Sequence, residues 1–182
     1  MCGRFVLHHD IPELQNHISF TADIDSINPN FNIAPTKPVL AITKCPKKSD
    51  NKLDVFQWGL VSSWAKDPTW SAKMINARSE TINEKPSFRN SIKDKKCLII
   101  ADGFYEWQTT ASGKICHYVT LPENEIFTFA GVWSDWLDKS SGDYIKSVSL
   151  ITQSANQMME KIHNTRKRQP VIIHKENRDK WF

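Results

Sequence analysis

Residues 96–107 read KCLIIADGFYEW, and this stretch decides how the chain folds. The apolar run at 96–101 is typical of a buried β-strand, Asp102-Gly103 interrupts it, and residues 104–107 continue as a second strand. Because side chains alternate between the two faces of a strand, Phe104 and Glu106 share one face. A carboxylate flanked by two aromatic residues is partly removed from water, which suits it to general acid–base work. The alternative is an outward-facing glutamate on an edge strand.

Short elements of both kinds surround this stretch. Strands are predicted at 38–43, 53–58, 115–121, 126–133, 147–152 and 171–173, with turns around CPKKSDN at 45–51 and at 140–143. Helices are predicted at 10–18 with Asp10 as the cap, at 154–162 with Ser154 as the cap, and from near Lys175. The strands do not alternate with helices as β-α-β units. We therefore expect a single α+β domain over residues 1–182, with a curved, largely antiparallel, barrel-like sheet and short peripheral helices.

Composition excludes some classes of protein and leaves others open. The net charge of +4 is compatible with a polyanionic partner without demanding one, and seven tryptophans suggest that some of them line a binding face. The four cysteines, at 2, 45, 97 and 116, form no C-x-x-C pair, so neither a metal site nor another cofactor is expected. No apolar run reaches the roughly 18 residues of a membrane span, and no signal peptide is apparent. We expect a cytoplasmic protein, where thiols stay reduced.

Cys2 is the sharpest chemical feature of the chain. If Met1 is removed, this residue offers a thiol and a free α-amine on adjacent carbons, with reference pKa values of about 8.5 and about 7.7–8.0. An aldehyde would be attacked by the amine to give an imine. The thiol would then close a five-membered thiazolidine ring, an intramolecular step that gains from proximity.

Two further polar motifs contain candidate site residues. In INARSET at 75–81, Asn76 can bond a hydroxyl or an oxyanion and Arg78 can bind a phosphate; the alternative is a capped helix start with a surface arginine. In KIHNTRKRQP at 161–170, His163 can transfer protons near neutral pH and the arginines can hold phosphates; the alternative is a solvated basic turn. Trp58 is expected in the core. Trp64 follows two serines in a segment typical of a loop and can offer a stacking surface to a base or a sugar; the alternative is that it also lies in the core.

Taken together and in order, these motifs resemble one family. The segments MCGRF at 1–5, NIAP at 32–35, WGL at 58–60, INARSET at 75–81, ADGFYEW at 101–107, AGVW at 130–133 and IHNTRKRQP at 162–170 are similar to those of the SRAP family, the SOS-response-associated peptidases or abasic-site-processing proteins. The resemblance covers essentially the whole chain. It implies a monomeric protein of the DNA damage response that captures abasic sites in single-stranded DNA, with Cys2 bonded to the deoxyribose aldehyde as a thiazolidine.

The resemblance also implies roles for individual residues. Cys2 is the nucleophile, Asn76 contacts the sugar, Glu106 transfers protons and positions the Cys2 amine, and His163 helps to open the sugar ring and to reverse the adduct. The positions implied in DNA contact or in shaping the site are Arg4, Pro35, Trp64, Arg78, Thr152 and Arg168, with Arg166 as the competitor of Arg168. That competition arises because the loop after His163 is longer than in many members. The family chain usually continues beyond the position of Phe182 with a further strand.

Two other functions remain open from the sequence. The first is a cysteine-type peptidase that uses Cys2 as nucleophile and His163 as its base, with removal of Met1 as the one cleavage. The second is a DNA-binding module without catalysis, in which the tryptophans and arginines form the groove.

Overall fold

The computed structural model describes residues 2–44 and 50–182 of the chain. The strands are β1 (Arg4–Leu7), β2 (Thr21–Ala22), β3 (Asn30–Ile33), β4 (Pro38–Lys44), β5 (Asn51–Trp58), β6 (Asn76–Arg78), β7 (Lys96–Ala101), β8 (Gly103–Thr110), β9 (Gly113–Val119), β10 (Phe127–Leu137), β11 (Tyr144–Ser154), β12 (Arg168–Pro170) and β13 (Ile172–Ile173). The helices are α1 (Ile11–His17), α2 (Ser91–Asp94), α3 (Gln157–Ile162) and α4 (Arg178–Trp181), with 3₁₀ turns at Thr69–Lys73, Pro122–Asn124 and Lys175–Asn177.

Five strands close into a barrel. Their order is β11-β10-β7-β4-β5, each antiparallel to the next, and β5 returns to β11 through a parallel pairing of Gln57 with Ser147 and of Trp58 with Val148. The apolar strand 96–101 is β7, in the middle of this order, and five of its residues are at most 1% exposed. The expected α+β class and the antiparallel, barrel-like core are confirmed.

A smaller sheet, in the order β3-β1-β8-β9, carries the N-terminus of the chain against the barrel. Phe5 of β1 and Phe104 of β8 are buried and meet Phe129 of β10 edge-to-face, at ring-centroid distances of 5.7 and 5.9 Å. Truncation of such buried rings to alanine typically costs about 3–5 kcal/mol. The packing therefore fixes where β1 begins, and with it the position of Cys2.

The break after β7 is a single residue, Asp102, which ties β1 to β8. Its carboxylate is 2% exposed and accepts hydrogen bonds from the His8 amide at 2.6 Å and from the His9 ring Nδ1 at 2.7 Å. The possible ligand atoms of these three side chains lie within 4.8 Å of one another, as a metal ion would require. Both oxygens of the Asp102 carboxylate already accept hydrogen bonds, so this cluster links the end of β1 to the start of β8.

The predicted strands and helices are present, but several of their boundaries differ, including those of one helix and of two strands in the C-terminal half. Helix α1 has the expected cap: Asp10 accepts from the Glu13 amide while Glu13 accepts from the Asp10 amide. The predicted helix at 154–162 begins only at Gln157 with Asn156 as its cap, because Ser154 still pairs with Arg168 in the sheet.

The other two differences concern strands near the C-terminal half. The predicted strand at 171–173 is divided into β12 and β13 at Val171, whose amide donates to Ile151 while its carbonyl accepts from Ala130. The strand predicted at 115–121 starts two residues earlier, at Gly113, and ends at Val119. The predicted turn around CPKKSDN lies largely outside the described residues. In the described part of the chain, no helix is long and apolar enough to cross a membrane.

Candidate active site

Four side chains from separate segments meet at the N-terminal end of β1. Cys2 precedes β1, Asn76 opens β6, Glu106 lies on β8 and His163 ends α3. Pairing of β8 with β1 brings Glu106 beside the start of the chain, and pairing of β6 with β11 brings Asn76 into the same region. The fold therefore assembles the four residues that the sequence singled out as catalytic candidates.

Cys2 is fully buried and held by its own backbone surroundings. Its thiol donates to the Arg4 carbonyl at 3.8 Å, and its carbonyl accepts from the Asn76 side-chain amide at 2.9 Å. Burial, and secondarily the charge of Glu106, raises the pKa of the Cys2 thiol to about 12. The thiol is therefore protonated at neutral pH, with a carboxylate in electrostatic range.

Asn76 places a hydrogen-bond acceptor close to Cys2. Its amide nitrogen is used by the Cys2 carbonyl, while its Oδ1 atom is buried and has no hydrogen-bond partner among the described residues. A buried, unsatisfied carbonyl oxygen is costly in a folded protein and rare outside functional sites. Because β6 is a strand, the alternative of a helix start at INARSET is wrong.

Glu106 faces inward, as strand alternation with Phe104 predicts. It is 3% exposed, so the alternative of an outward-facing glutamate is wrong. Its Oε1 accepts from the Trp107 amide at 3.2 Å, and its Oε2 lies 3.9 Å from Nδ1 of His163. The carboxylate thus lies within electrostatic range of the Cys2 thiol and close to the histidine ring.

His163 is 4% exposed and oriented by the loop that follows it. Its Nδ1 lies 2.9 Å from the Arg168 carbonyl, which can only accept, so this contact requires the Nδ1–H tautomer. The Arg168 amide also lies 3.3 Å from Nδ1, but that longer contact needs the opposite tautomer. The alternative of a solvated turn is wrong for His163 and for Arg168, which is 8% exposed.

The residues expected to contact DNA fall into two groups. Arg78 and Arg166 are exposed, Arg4 and Pro35 are half-buried, and Trp64 is 60% exposed. Arg4 donates to the Asn32 side chain at 2.7 Å, a neutral partner that leaves its charge uncompensated. Thr152 is fully buried, and the Arg168 guanidinium is bonded to Glu80 and to Thr152. These last two residues shape the site from within.

A cavity of about 440 Å³ opens beside Trp64. Trp64 and Trp70 are both 60% exposed, and Leu60 and Met74 form part of the apolar lining. Met74 of the lining lies two residues before Asn76 in the sequence, and Asn76 itself is not one of the lining residues. The size and aromatic wall of the cavity suit a flat, partly apolar group.

Two polar residues near the cluster were not singled out from the sequence. Glu80 binds the Arg168 guanidinium through both carboxylate oxygens. Asn164 exchanges hydrogen bonds with the backbone of Thr109 on β8, at 3.0 and 2.8 Å, which fixes the His163 loop to the strand of Glu106. Both lie inside motifs quoted above, and for Glu80 the available signal was its charge, opposite to that of the arginines in the second motif.

The architecture defines a class: a closed barrel with a smaller sheet that holds the second residue of the chain, a cysteine, among an asparagine, a glutamate and a histidine. The chain belongs to the SOS response associated peptidase (SRAP) family, whose model matches residues 1–182.

Named relatives and a solved structure agree with this membership. The abasic site processing protein YoqW of Bacillus subtilis (strain 168) is 38% identical over 185 residues, covering 100% of this chain and 80% of that protein. The abasic site processing protein HMCES of Xenopus tropicalis is 32% identical over 178 residues, covering 83% of this chain and 52% of that protein. A crystal structure of a protein from Bacteroides thetaiotaomicron superposes with a TM-score of 0.90 at 29% identity, over 99% of this chain and 80% of that one.

Proposed function

We propose that this protein processes abasic sites in DNA by bonding covalently to them through Cys2, once hydrolysis has removed Met1. The observation that carries this proposal is the meeting of Asn76, Glu106 and His163 around a cysteine that removal of Met1 would make N-terminal. The names of the relatives support the lesion as the target. We extend the proposal to single-stranded DNA in a cytoplasmic DNA damage response.

The reaction proceeds in two bond-forming steps. The neutral α-amine of Cys2 adds to C1′ of the ring-opened deoxyribose, and loss of one water gives an imine. The thiol sulfur then adds to the same carbon, and the thiol proton ends on the imine nitrogen, so that a thiazolidine forms. The net change is loss of one water, with no oxidation or reduction. The second step is intramolecular and gains the effective concentration of a positioned group.

Proton transfers are assigned to the residues around Cys2. Glu106 accepts the proton of the Cys2 ammonium and later that of the thiol. Asn76 Oδ1, buried without a partner among the described residues, accepts a hydrogen bond from the sugar. His163 serves as the acid–base group that opens the closed hemiacetal, a step in which a positioned group contributes about 10²- to 10⁴-fold.

The DNA is held by charge and by stacking. Arg4, Arg78 and Arg166 bind phosphates without reading sequence. Trp64, at the edge of the 440 Å³ cavity, stacks on a base that flanks the lesion. Pro35 and the buried Thr152 shape the site, and Arg168 supports it from within.

The peptidase alternative finds less support in the geometry. A cysteine peptidase needs a thiolate stabilised by a nearby imidazolium, which lowers the thiol pKa. Here burial raises the pKa of the Cys2 thiol to about 12, and the Nδ1 atom of His163 lies 2.9 Å from the Arg168 carbonyl. Removal of Met1, whether by the protein itself or by an aminopeptidase, is the one cleavage that the proposal needs.

The test uses single-stranded DNA with one abasic site. Wild-type protein that lacks Met1 should give an adduct that survives heating in denaturant. Cys2→Ala retains the amine but has no thiol, so it should give none. Cys2→Ser should form an imine that borohydride traps, but no heat-stable adduct without the reductant.

Two outcomes would contradict the proposal. Equal heat-stable adduct with Cys2→Ala would exclude the thiazolidine. Equal noncovalent binding by all variants, with no adduct from any, would favour a DNA-binding module without catalysis. Intact mass of each preparation shows whether Met1 is absent, and oligonucleotide without the lesion provides the matched control.

A further inference from the structure

Glu80 and Arg168 form a paired ion contact at the edge of the candidate site. Nη1 and Nη2 of Arg168 donate to Oε1 and Oε2 of Glu80 at 3.0 and 2.9 Å. Bidentate contacts of this kind fix a guanidinium in both position and plane. The same guanidinium donates to the carbonyl of Thr152 at 2.8 Å. Glu80 and Thr152 therefore hold the Arg168 side chain from two directions.

The backbone of Arg168 in turn holds His163. Its carbonyl lies 2.9 Å from Nδ1 of His163, a contact that requires the Nδ1–H tautomer, and the Lys167 amide closes the loop by donating to the His163 carbonyl at 2.8 Å. Lys167 adopts a left-handed backbone, with φ of +49°. Because the loop is short and closed on itself, a shift of the Arg168 side chain moves the carbonyl that orients the imidazole.

The proton on Nδ1 matters because a second acceptor is close. Oε2 of Glu106 lies 3.9 Å from the same Nδ1 atom. A neutral imidazole has one N–H, and the partner of that N–H decides which nitrogen keeps its lone pair. While the Arg168 carbonyl takes the Nδ1 proton, Nε2 is the basic nitrogen and Glu106 remains able to accept protons from Cys2.

We propose that Glu80 is a positioning residue that acts through Arg168 to hold His163 in the Nδ1–H tautomer. The effect of Glu80 on the reaction rate rests on the lesion chemistry proposed above. Arg168 thereby has an internal role and is not a phosphate contact. Glu80 itself is about half exposed at the rim, so it can be substituted without opening the core.

The test compares Glu80→Gln with Glu84→Gln. Both changes remove one negative charge from the same exposed segment, so a general effect of charge on DNA binding is common to both. We expect the rate of adduct formation at saturating DNA to fall about tenfold in Glu80→Gln, a fraction of the full effect of a positioned acid–base group. The half-saturating DNA concentration should match that of Glu84→Gln, which should keep the wild-type rate.

A spectroscopic measurement separates positioning from loss of structure. In protein labelled with ¹⁵N-histidine, the His163 signals should report Nδ1–H in wild type and in Glu84→Gln, and should shift toward Nε2–H in Glu80→Gln. The His163 signals are assigned by their absence in His163→Gln. A double-mutant cycle with Arg168→Met completes the test: the double variant should be no slower than Arg168→Met alone.

Retention of the Nδ1–H tautomer in Glu80→Gln would overturn the proposal. So would a double variant whose rate loss equals the product of the losses in Glu80→Gln and in Arg168→Met, because the two residues would then act independently. The NMR measurement needs no DNA. A tautomer shift in a protein that never forms an adduct would therefore leave the Glu80–His163 coupling standing while the proposed function fails.

Discussion

Burial keeps the Cys2 thiol protonated at neutral pH, which favours attack by the amine before the thiol in the proposed chemistry. Its pKa is raised to about 12, first by removal from water and second by the negative charge of Glu106. A thiol of this kind does not initiate attack on an aldehyde. The amine therefore reacts first, and the thiol follows once the imine carbon lies beside it and Glu106 can take its proton.

Alkylation rates provide a test of this protonation state. We expect iodoacetamide to modify Cys116, which is exposed, well before Cys2 at pH 7.5. The rate at Cys2 should rise about tenfold for each pH unit up to about 12, because the thiolate is the reactive form. Peptide mapping by mass spectrometry measures both sites in one sample.

Cys97 and the unfolded chain serve as references for that experiment. Cys97 is also fully buried and has its thiol pKa raised by burial, so it should be protected in the same way. In denaturant all of these thiols should react alike. Modification of Cys2 at the rate of Cys116 in the folded protein would show that the thiol is neither buried nor held in its neutral form.

At the scale of single elements, the turn after β5 places the aromatic cavity and Asn76. Gly59 has φ of +130°, and a Cβ atom there would lie 2.4 Å from the carbonyl oxygen of Ser71. Its amide donates to Val148 on β11, so the turn is tied to the barrel. The segment that crosses over Gly59 leads through Met74 to β6. A change at Gly59 therefore reaches the candidate site through the chain.

Gly59→Ala should consequently destabilise the protein more than Gly113→Ala. The two glycines have nearly the same φ, +130° and +128°, but no atom lies within 4 Å of a Cβ at Gly113. Backbone strain of about 1–3 kcal/mol is common to both changes. Overpacking against Ser71 adds about 1–3 kcal/mol in Gly59→Ala only. Urea unfolding of both variants measures the difference, and equal losses would show that the contact with Ser71 relaxes at no cost.

Local patterns predicted the elements better than they predicted their ends. The strand at 96–101 and the inward side of Glu106 follow from apolar runs and alternation, which are properties of neighbouring residues. The start of α3 does not, because Ser154 is a good cap by type but is retained in β11 by pairing with Arg168. The burial of Arg168 likewise depends on Glu80, 88 residues away in the chain.

At the scale of the whole molecule, barrel closure brings the site together. The parallel contact between β5 and β11, and that between β6 and β11, join segments that are distant in sequence. No local periodicity encodes such pairings, so the sequence could predict a barrel-like antiparallel sheet but not which strands close it. The catalytic candidates were found by residue chemistry and family resemblance, whereas their distances required the fold.

The salt dependence of DNA binding tests the charged surface of the molecule as a whole. In a Cys2→Ala background, where no thiazolidine forms, the logarithm of the affinity for abasic single-stranded DNA should fall linearly with the logarithm of salt concentration. Each phosphate contact contributes about 0.7 to that slope, so Arg4, Arg78 and Arg166 together predict a slope of about −2.

Arg78→Ala should lower this slope by about 0.7, because it removes one of the proposed phosphate contacts. Lys175→Ala is the matched control: it removes the same charge from a cavity shared with His17 and Leu121, neither of which belongs to the proposed site. Fluorescence anisotropy over a range of salt concentrations gives both slopes. An equal loss of slope in the two variants would mean that net charge alone draws DNA to the protein. An unchanged slope in Arg78→Ala would remove Arg78 from the interface, and the DNA would then have to follow a different path to Cys2.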